Sequence, residues 1–387
     1  MKNYEVTKKY KIEISDEVNA QEWNNNLKQN KHSTYLQTVE YTMRNKSEKK
    51  PIFIYVKNES GEIKGQLALT ITSSQPVYST KKLDGYMKTI SKLGNRGTWA
   101  GGPIINSNDE KERINILEEF LNVFDKISDD YNLMIIDGYS NAQEVISEDY
   151  KNKFKKHNFK TKKFVTYRTD LNDNIDEIWK RIAKSARNDI TRAERKQVSV
   201  KELSHENELL EYAELGRKWA KTKGIQSSDS KLLVEQDWND HLSGLQKYFF
   251  AFQDEEMISG LRVGCFNEIA FTNQVRSSYS KASSLGGPVL TWNAIKWAKT
   301  KGMQIYDFSG VAKPDELQKK DKKFQEQWSG LTDYKKKWGG KEYPYLQFIK
   351  VNKKLSYKTY RILSKPDNLL RNFKKRQFRR PKKEKNN

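Results

Sequence analysis

One cysteine, Cys265, is all this sequence of 387 residues contains, which excludes an internal disulfide and a multi-cysteine metal site. Cys265 lies between Gly264 and Phe266, a setting for a small buried hydrophobe, and the scarcity of thiols fits a reducing cytosol. The four histidines, His32, His157, His205 and His241, are far apart and form neither an HExxH nor an HxH pair, so no metal site is expected. No apolar run approaches the roughly 20 residues of a membrane span. The opening MKNYEVTKKYKIEIS alternates polar and apolar residues and has no signal-peptide core, so a cytoplasmic location is expected. There is no Gly-x-Ser-x-Gly elbow and no phosphate-binding P-loop, and nothing reads as a covalent nucleophile.

Acids are outnumbered: 50 face 72 Lys and Arg, a net +22. Residues 350–387 alone hold fifteen Lys or Arg against Asp367 and Glu384, a net +13. A basic tail on a moderately basic body points to a polyanion, either nucleic acid, a phosphorylated substrate or an anionic membrane face. In the tail, Leu355, Tyr360, Ile362, Leu363, Leu369, Leu370 and Phe373 are spaced among basic residues as in short amphipathic helices. The body is globular, with 35% hydrophobic and 12% aromatic residues, and its length suits two domains.

Periodicity gives an α/β (α+β) chain. Strands are predicted over 4–14, 51–56, 63–72, 133–138, 158–169, 248–252, 258–266, 268–275 and 303–308. Helices are predicted over 19–29, 33–44, 110–128, 175–197, 206–222 and 231–242. Residues 83–98 read as a basic loop. Helix 33–44 is expected to be capped by Ser33 or Thr34. Helix 175–197 carries an apolar stripe of Ile178, Ile182, Ala186, Ile190 and Ala193 on an otherwise basic surface suited to phosphate.

Residues 285–310 form the most informative stretch. Gly286-Gly287-Pro288 reads as the opening of a helix, Gly302 as its stop, and Met303–Phe308 as a strand ending in Ser309-Gly310. Gly101-Gly102-Pro103, helix 110–128 and the strand ending at Asp137 repeat that order. Two duplicated lobes follow from this, with the strand at 158–169 between them. A three-strand, helix, strand order suits a fold that holds two substrates together and moves an acyl group to an amine by positioning.

Several short motifs resemble the Fem family of aminoacyl-tRNA-dependent peptidoglycan transferases. They are Leu36-Gln37 through Tyr41, Gly102-Pro103, the helix around Arg187 and Ile190, Trp292–Ala298, Tyr306-Asp307-Phe308-Ser309-Gly310, and Tyr334-Lys335-Lys336-Lys337-Trp338-Gly339-Gly340. Together they cover most of residues 20–345 in the family's order. The resemblance implies two tandem GCN5-like acyl-CoA N-acyltransferase lobes with a basic C-terminal tail. The lobes would be 1–160 and 161–349, and the tail 350–387.

It also implies the reaction: an amino acid leaves its tRNA ester and forms an amide on an amine of a lipid-linked or nucleotide-linked peptidoglycan precursor. No cofactor is implied, aminoacyl-tRNA being the co-substrate. Lys335 matches the family's lysine near the reacting groups, where a point charge would stabilise an oxyanion. Arg44 or Lys46 matches the basic residue that helps bind a diphosphate. The remaining substrate-binding candidates are Gln37, Gly102, Pro103, Arg187, Asn273, Tyr306, Asp307, Gly310 and Lys336.

Three departures bear on the substrate: Asn106 stands where some members carry Asp, residues 224–227 hold no Arg, and no long helical arm is visible between Leu203 and Leu242. An acyl-CoA-dependent N-acyltransferase acting on a surface polysaccharide or other amine is the alternative, with residues 283–288 as a loop cradling the CoA pyrophosphate. A catalytically idle module binding nucleic acid or membrane is a third reading. The tail would hold tRNA or place the enzyme at the anionic inner face of the membrane.

Overall fold

The period-two runs become strands and the period-3.6 runs become helices, in an order that occurs twice. The computed structural model describes residues 2–5, 9–44, 49–73, 90–142, 146–223, 230–278, 283–311 and 322–363. The first half comprises β1 (Lys2–Glu5), β2 (Tyr10–Ser15), α1 (Ala20–Lys28), a 3-10 turn (Tyr35–Gln37), α2 (Val39–Met43), β3 (Lys49–Asn58) and β4 (Ile63–Ser73). It continues with β5 (Asn95–Trp99), β6 (Ile104–Ile105), α3 (Glu110–Asp130), β7 (Leu133–Tyr139) and α4 (Glu148–Lys156). After β8 (Lys160–Asp170) come α5 (Ile175–Arg181), α6 (Lys184–Arg195), β9 (Ser199–Glu202), α7 (Glu208–Lys223) and α8 (Ser230–Leu242). The rest is β10 (Gln246–Gln253), β11 (Glu256–Phe266), β12 (Ile269–Ser277), α9 (Ser283–Thr300), β13 (Ile305–Val311), α10 (Lys322–Lys336), β14 (Lys341–Val351) and α11 (Lys354–Leu363).

Strands β2 to β5 run antiparallel, α3 crosses over, and β7 returns parallel to β5. Strands β10 to β12 run antiparallel, α9 crosses over, and β13 returns parallel to β12. This shared plan is the tandem GCN5-like arrangement, and it carries the duplication. The two lobes form one sheet, ordered β1-β2-β3-β4-β5-β7-β14-β8-β13-β12-β11-β10-β9, with β6 on β4.

The seam is crossed by exchange. Strand β14, from the end of the second lobe, pairs with β7 of the first and with β8. Its Leu346 and Phe348 join the first-lobe core, where Phe348 stacks on Phe154 with ring centroids 3.6 Å apart. Strand β8, expected at the lobe junction, pairs with β13 on its other side.

Each lobe covers both faces of its part of the sheet. In β3, Ile52, Ile54 and Val56 pack under α3, while Phe53 and Tyr55 meet Trp23 and Leu27 of α1 on the opposite face. The second-lobe core combines α9 with the stripe Ile178, Ile182, Ala186, Ile190 and Ala193, all buried as expected.

Four local expectations are corrected. The single helix over 175–197 is two helices: Ile182 is extended, and the N–H of Ala183 donates to the carbonyl of Lys337 rather than continuing the first helix. Residues 33–44 are likewise split at Thr38, whose hydroxyl accepts from the N–H of Tyr41, so Thr38 is the cap rather than Ser33 or Thr34. Residues 95–99, expected in a loop, form β5 between β4 and β7. Gly286-Gly287-Pro288 does not open its helix. All three lie within α9, and a Cβ on Gly286 would strike Ser259, so the glycine lets the helix lie close on β11. Gly101-Gly102-Pro103 is instead a turn with Gly101 at φ 68° and a cis Gly102–Pro103 bond, so the two Gly-Gly-Pro runs are not structural equivalents.

Candidate active site

Alternation along the seam strands sorts their side chains. Val165 and Tyr167 of β8, and Tyr306 and Phe308 of β13, enter the second-lobe core. Their neighbours Thr166, Arg168, Asp307 and Ser309 therefore face the other side, where they line a cavity of about 260 Å³. Strand β12 adds Ile269, Phe271 and Asn273, and β14 adds Tyr345. The first lobe closes it with Thr34, Leu36, Ala100, Gly101 and the end of β7 at Tyr139 to Ala142. The cavity thus lies between the lobes, beside the carboxyl ends of β7 and β13.

Asp307 is the hub of one wall. Its Oδ1 accepts from the Thr166 hydroxyl at 2.5 Å and from the N–H of Ser309 at 2.8 Å, and its Oδ2 accepts from Arg168 Nε at 2.6 Å. Ser309 adopts φ 62°, unusual for a residue with a Cβ, and the register of β13 on β8 shifts there. Successive carbonyls of a regular strand point to opposite edges. The bulge breaks that rule, so one ammonium reaches two successive oxygens: Lys335 Nζ donates to the carbonyls of Ser309 at 2.9 Å and Gly310 at 2.8 Å. Lys335 is 8% exposed, at the end of α10. Burial pulls its ammonium down to about 8, with Asp307 acting in the opposite direction.

The other candidates fall into three groups. Tyr306, Asp307, Gly310 and Asn273 gather at or just behind the cavity wall. The Tyr306 hydroxyl shares a hydrogen bond with Thr272, and burial raises its phenol well above its ordinary value. Gly310 has no room for a Cβ, which would collide with the Tyr345 hydroxyl. Gly102 and Pro103 sit next to the first-lobe wall, and the N–H of Gly102 donates to the carbonyl of Tyr139.

Gln37 and Arg44 serve the protein's own architecture. Gln37 is buried and donates to the carbonyls of Ala68 and Ala100 while accepting from the N–H of Ala68. Arg44 pairs with Asp237 and Asp240 of α8, and Asp237 also takes Arg262 at 2.9 Å. Burial opposes the Arg44 charge, but the two aspartates outweigh it and hold the guanidinium above its ordinary value. This buried network ties the first lobe to the second.

Arg187 and Lys336 lie away from the cavity. Arg187 donates to the carbonyls of Trp179, Lys180 and Ile182, closing the end of α5. Lys336 is exposed, with its ammonium 6.0 Å from the Tyr167 ring centre. Lys46 and residues 224–227 lie outside the described residues. Asn106 accepts from Asn30 Nδ2 at 3.3 Å. Cys265 is buried, and its thiol is pushed up to about 12 by that burial.

Sequence reasoning missed Arg168, Thr166, Tyr345 and Thr34. One signal was present: a lone arginine alternates with Val165 and Tyr167 in the second half of the strand, where the exposed lysines have given way to a buried run. Only the pairing of β8 with β13 reveals its partner.

No protein-family model matches the sequence, and no curated protein is significantly similar to it. Solved structures are. The crystal structure of FemX has 16% identity and a TM-score of 0.67, and the match covers 90% of this chain and 99% of that one. The C-terminal domain of a putative lysylphosphatidylglycerol synthetase from Agrobacterium fabrum has 10% identity and a TM-score of 0.51, covering 88% and 95%. A conserved protein of unknown function from Bacteroides thetaiotaomicron has 7% identity and a TM-score of 0.51, covering 87% and 99%. At these identities the likeness is one of fold: the tandem-lobed architecture that the Fem-family resemblance implies is the architecture this chain has, and it is shared with FemX over nearly the whole of both chains.

Proposed function

We propose that this chain is an acyltransferase that moves an aminoacyl group from aminoacyl-tRNA to an amine of a peptidoglycan precursor. The observation that carries the reading is Lys335, a buried ammonium fixed on the carbonyls of Ser309 and Gly310, two residues that line the inter-lobe cavity. In the reaction a neutral amine attacks the ester carbonyl, a C–N bond forms, and the C–O bond to the ribose breaks. The amine proton ends on the departing hydroxyl. Two of the three Lys335 N–H groups are engaged by protein, and the third is assigned to the developing oxyanion. The match to FemX in fold and the motif order in sequence support the same class of reaction.

The alternative, transfer from an acyl-CoA, drew on residues 283–288 as a loop. Those residues are the first turns of α9, with Gly286 packed on Ser259, and form no open loop.

The tail belongs to the same reading. Helix α11 turns Tyr357, Tyr360 and Leu363 toward the body and leaves Leu355 82% and Ile362 55% exposed on the other side. Lys354, Lys358 and Arg361 flank that apolar strip, the arrangement of a helix lying on an anionic membrane surface where lipid-linked precursors would be met. Among the described residues no helix is long and apolar enough to cross a membrane.

The test offers charged tRNAs and acyl-CoA in parallel to lipid-linked and nucleotide-linked amine acceptors. Transfer from tRNA, lost in Lys335→Ala with tRNA binding retained, supports the reading. Consumption of acyl-CoA with no transfer from tRNA overturns it.

A further inference from the structure

Arg168 is held from one side only. It is 4% exposed and lines the inter-lobe cavity, with Nε on Asp307 and its guanidinium carbon 5.5 Å from the centre of the Tyr343 ring. Its Nη1 is buried and has no hydrogen-bond partner among the described residues. Asp307 cannot supply one cheaply, because its other oxygen already accepts from Thr166 and the N–H of Ser309. A buried charged donor left unpaired is costly, and such groups in native proteins are normally satisfied by something. Across the cavity, Thr34 Oγ1 of the first lobe is also buried without a hydrogen-bond partner among the described residues.

The charges point the same way. Among the described residues, Arg168 on the cavity wall and Lys335 behind Ser309 and Gly310 are two cations against one carboxylate, Asp307, so the site carries a surplus positive charge while Lys335 is protonated. The phenols of Tyr139 and Tyr345 add no negative charge, since burial raises both above their ordinary value. The remaining lining is largely apolar, with Leu36, Ala100, Ala142, Ile269 and Phe271. A volume of about 260 Å³ is below the usual range for drug-sized ligands. That combination fits a compact group with an apolar body and one negative charge. It fits a doubly charged, strongly hydrated diphosphate poorly.

We infer that Arg168 anchors the free carboxylate of a short peptide in the inter-lobe cavity, with the Thr34 hydroxyl donating from the opposite lobe. The carboxylate would complete Nη1 and neutralise the surplus charge. Because the anchor touches both lobes, binding there would also fix where the rest of the ligand runs relative to Lys335. Naming that ligand as the peptide of the acceptor rests on the proposed transfer reaction; the carboxylate site itself does not.

The experiment is calorimetric titration of the full chain with N-acetyl-alanyl-alanine, with its C-terminal amide, and with inorganic phosphate and pyrophosphate as competitors. The acid binds, the amide binds at least about tenfold more weakly, and Arg168→Lys weakens the acid by a similar factor with an unchanged melting curve. Comparing acid and amide on the wild-type chain needs no variant, so a folding defect in Arg168→Lys leaves the result readable. Equal binding of acid and amide, no acid binding at millimolar concentration, or displacement of the acid by phosphate or pyrophosphate overturns the inference. Transfer activity is scored separately. Transfer without a carboxylate preference sinks the anchor alone, and an Arg168-dependent carboxylate preference without transfer sinks the proposed reaction alone.

Discussion

The pH dependence of transfer should identify what Lys335 does. The protein carbonyls of Ser309 and Gly310 take two of its N–H groups, and burial brings its ammonium down to about 8. A neutral amine can keep both bonds, so losing the proton removes only the third donor and the charge. Below pH 8 the group is a cation able to stabilise an oxyanion; above it, the stabilisation goes. At pH 7 about nine-tenths of the enzyme is in the active form and at pH 9 about one-tenth, a tenfold fall per unit beyond the midpoint.

The acceptor amine also titrates, so the quantity to measure is the ratio of wild-type kcat/KM to that of Lys335→Arg, whose charge persists throughout. The ratio should be flat at low pH and fall above about 8. Lys335→Ala should lose about 10²–10³ in kcat, the usual cost of one oxyanion donor. A ratio that rises through pH 8 would make Lys335 a base and refute the reasoning. A flat ratio would mean that its proton plays no part.

Three further outcomes follow from the structure. Arg44→Met should leave buried Asp240 without its cation, while Asp237 keeps Arg262, and cost roughly 3–5 kcal/mol in denaturant unfolding; a raised KM with unchanged stability would instead return Arg44 to the substrate. Gly310→Ala should cost about 1–3 kcal/mol by collision with the Tyr345 hydroxyl, and Tyr345→Phe in the same chain should recover much of it; a single variant that melts like the wild type contradicts the close approach. Leu355→Asp with Ile362→Asp should change stability by less than about 0.5 kcal/mol yet abolish flotation with phosphatidylglycerol vesicles; unchanged flotation, or loss of tRNA binding instead, speaks against a membrane-facing α11.

Much of the fold was legible because its signals are local. The alternation in β3 and the face of α3 bury the residues they mark, and Asp307 and Lys335 were both found from short motifs. What stayed hidden depends on distant pairing. Nothing near Arg168 in sequence shows that it meets an aspartate 139 positions later. Helix 175–197 keeps a continuous apolar stripe across its break, so periodicity alone could not reveal the extended Ile182. Strand β14 was missed for a different reason: its first four residues, Lys341 to Pro344, are exposed and end in a proline, so they look like a loop. The proline is tolerated because β14 pairs with β7 only from Gln347 onward, leaving Pro344 bonded on the β8 side alone.

The placement of β14 also governs the order in which the protein can be made. Residues 133–139 leave the ribosome about 200 residues before the strand that covers them. Until then β7 and β8 expose unpaired edges, and the first-lobe core lacks Leu346 and Phe348. The first lobe therefore cannot mature on the nascent chain ahead of the second, as a tandem array of self-sufficient units would. Its completion waits on long-range closure, a slow step with a high risk of association between half-made chains. A fragment ending at residue 160 should fold poorly by itself, and a peptide spanning 341–351 should be what it needs.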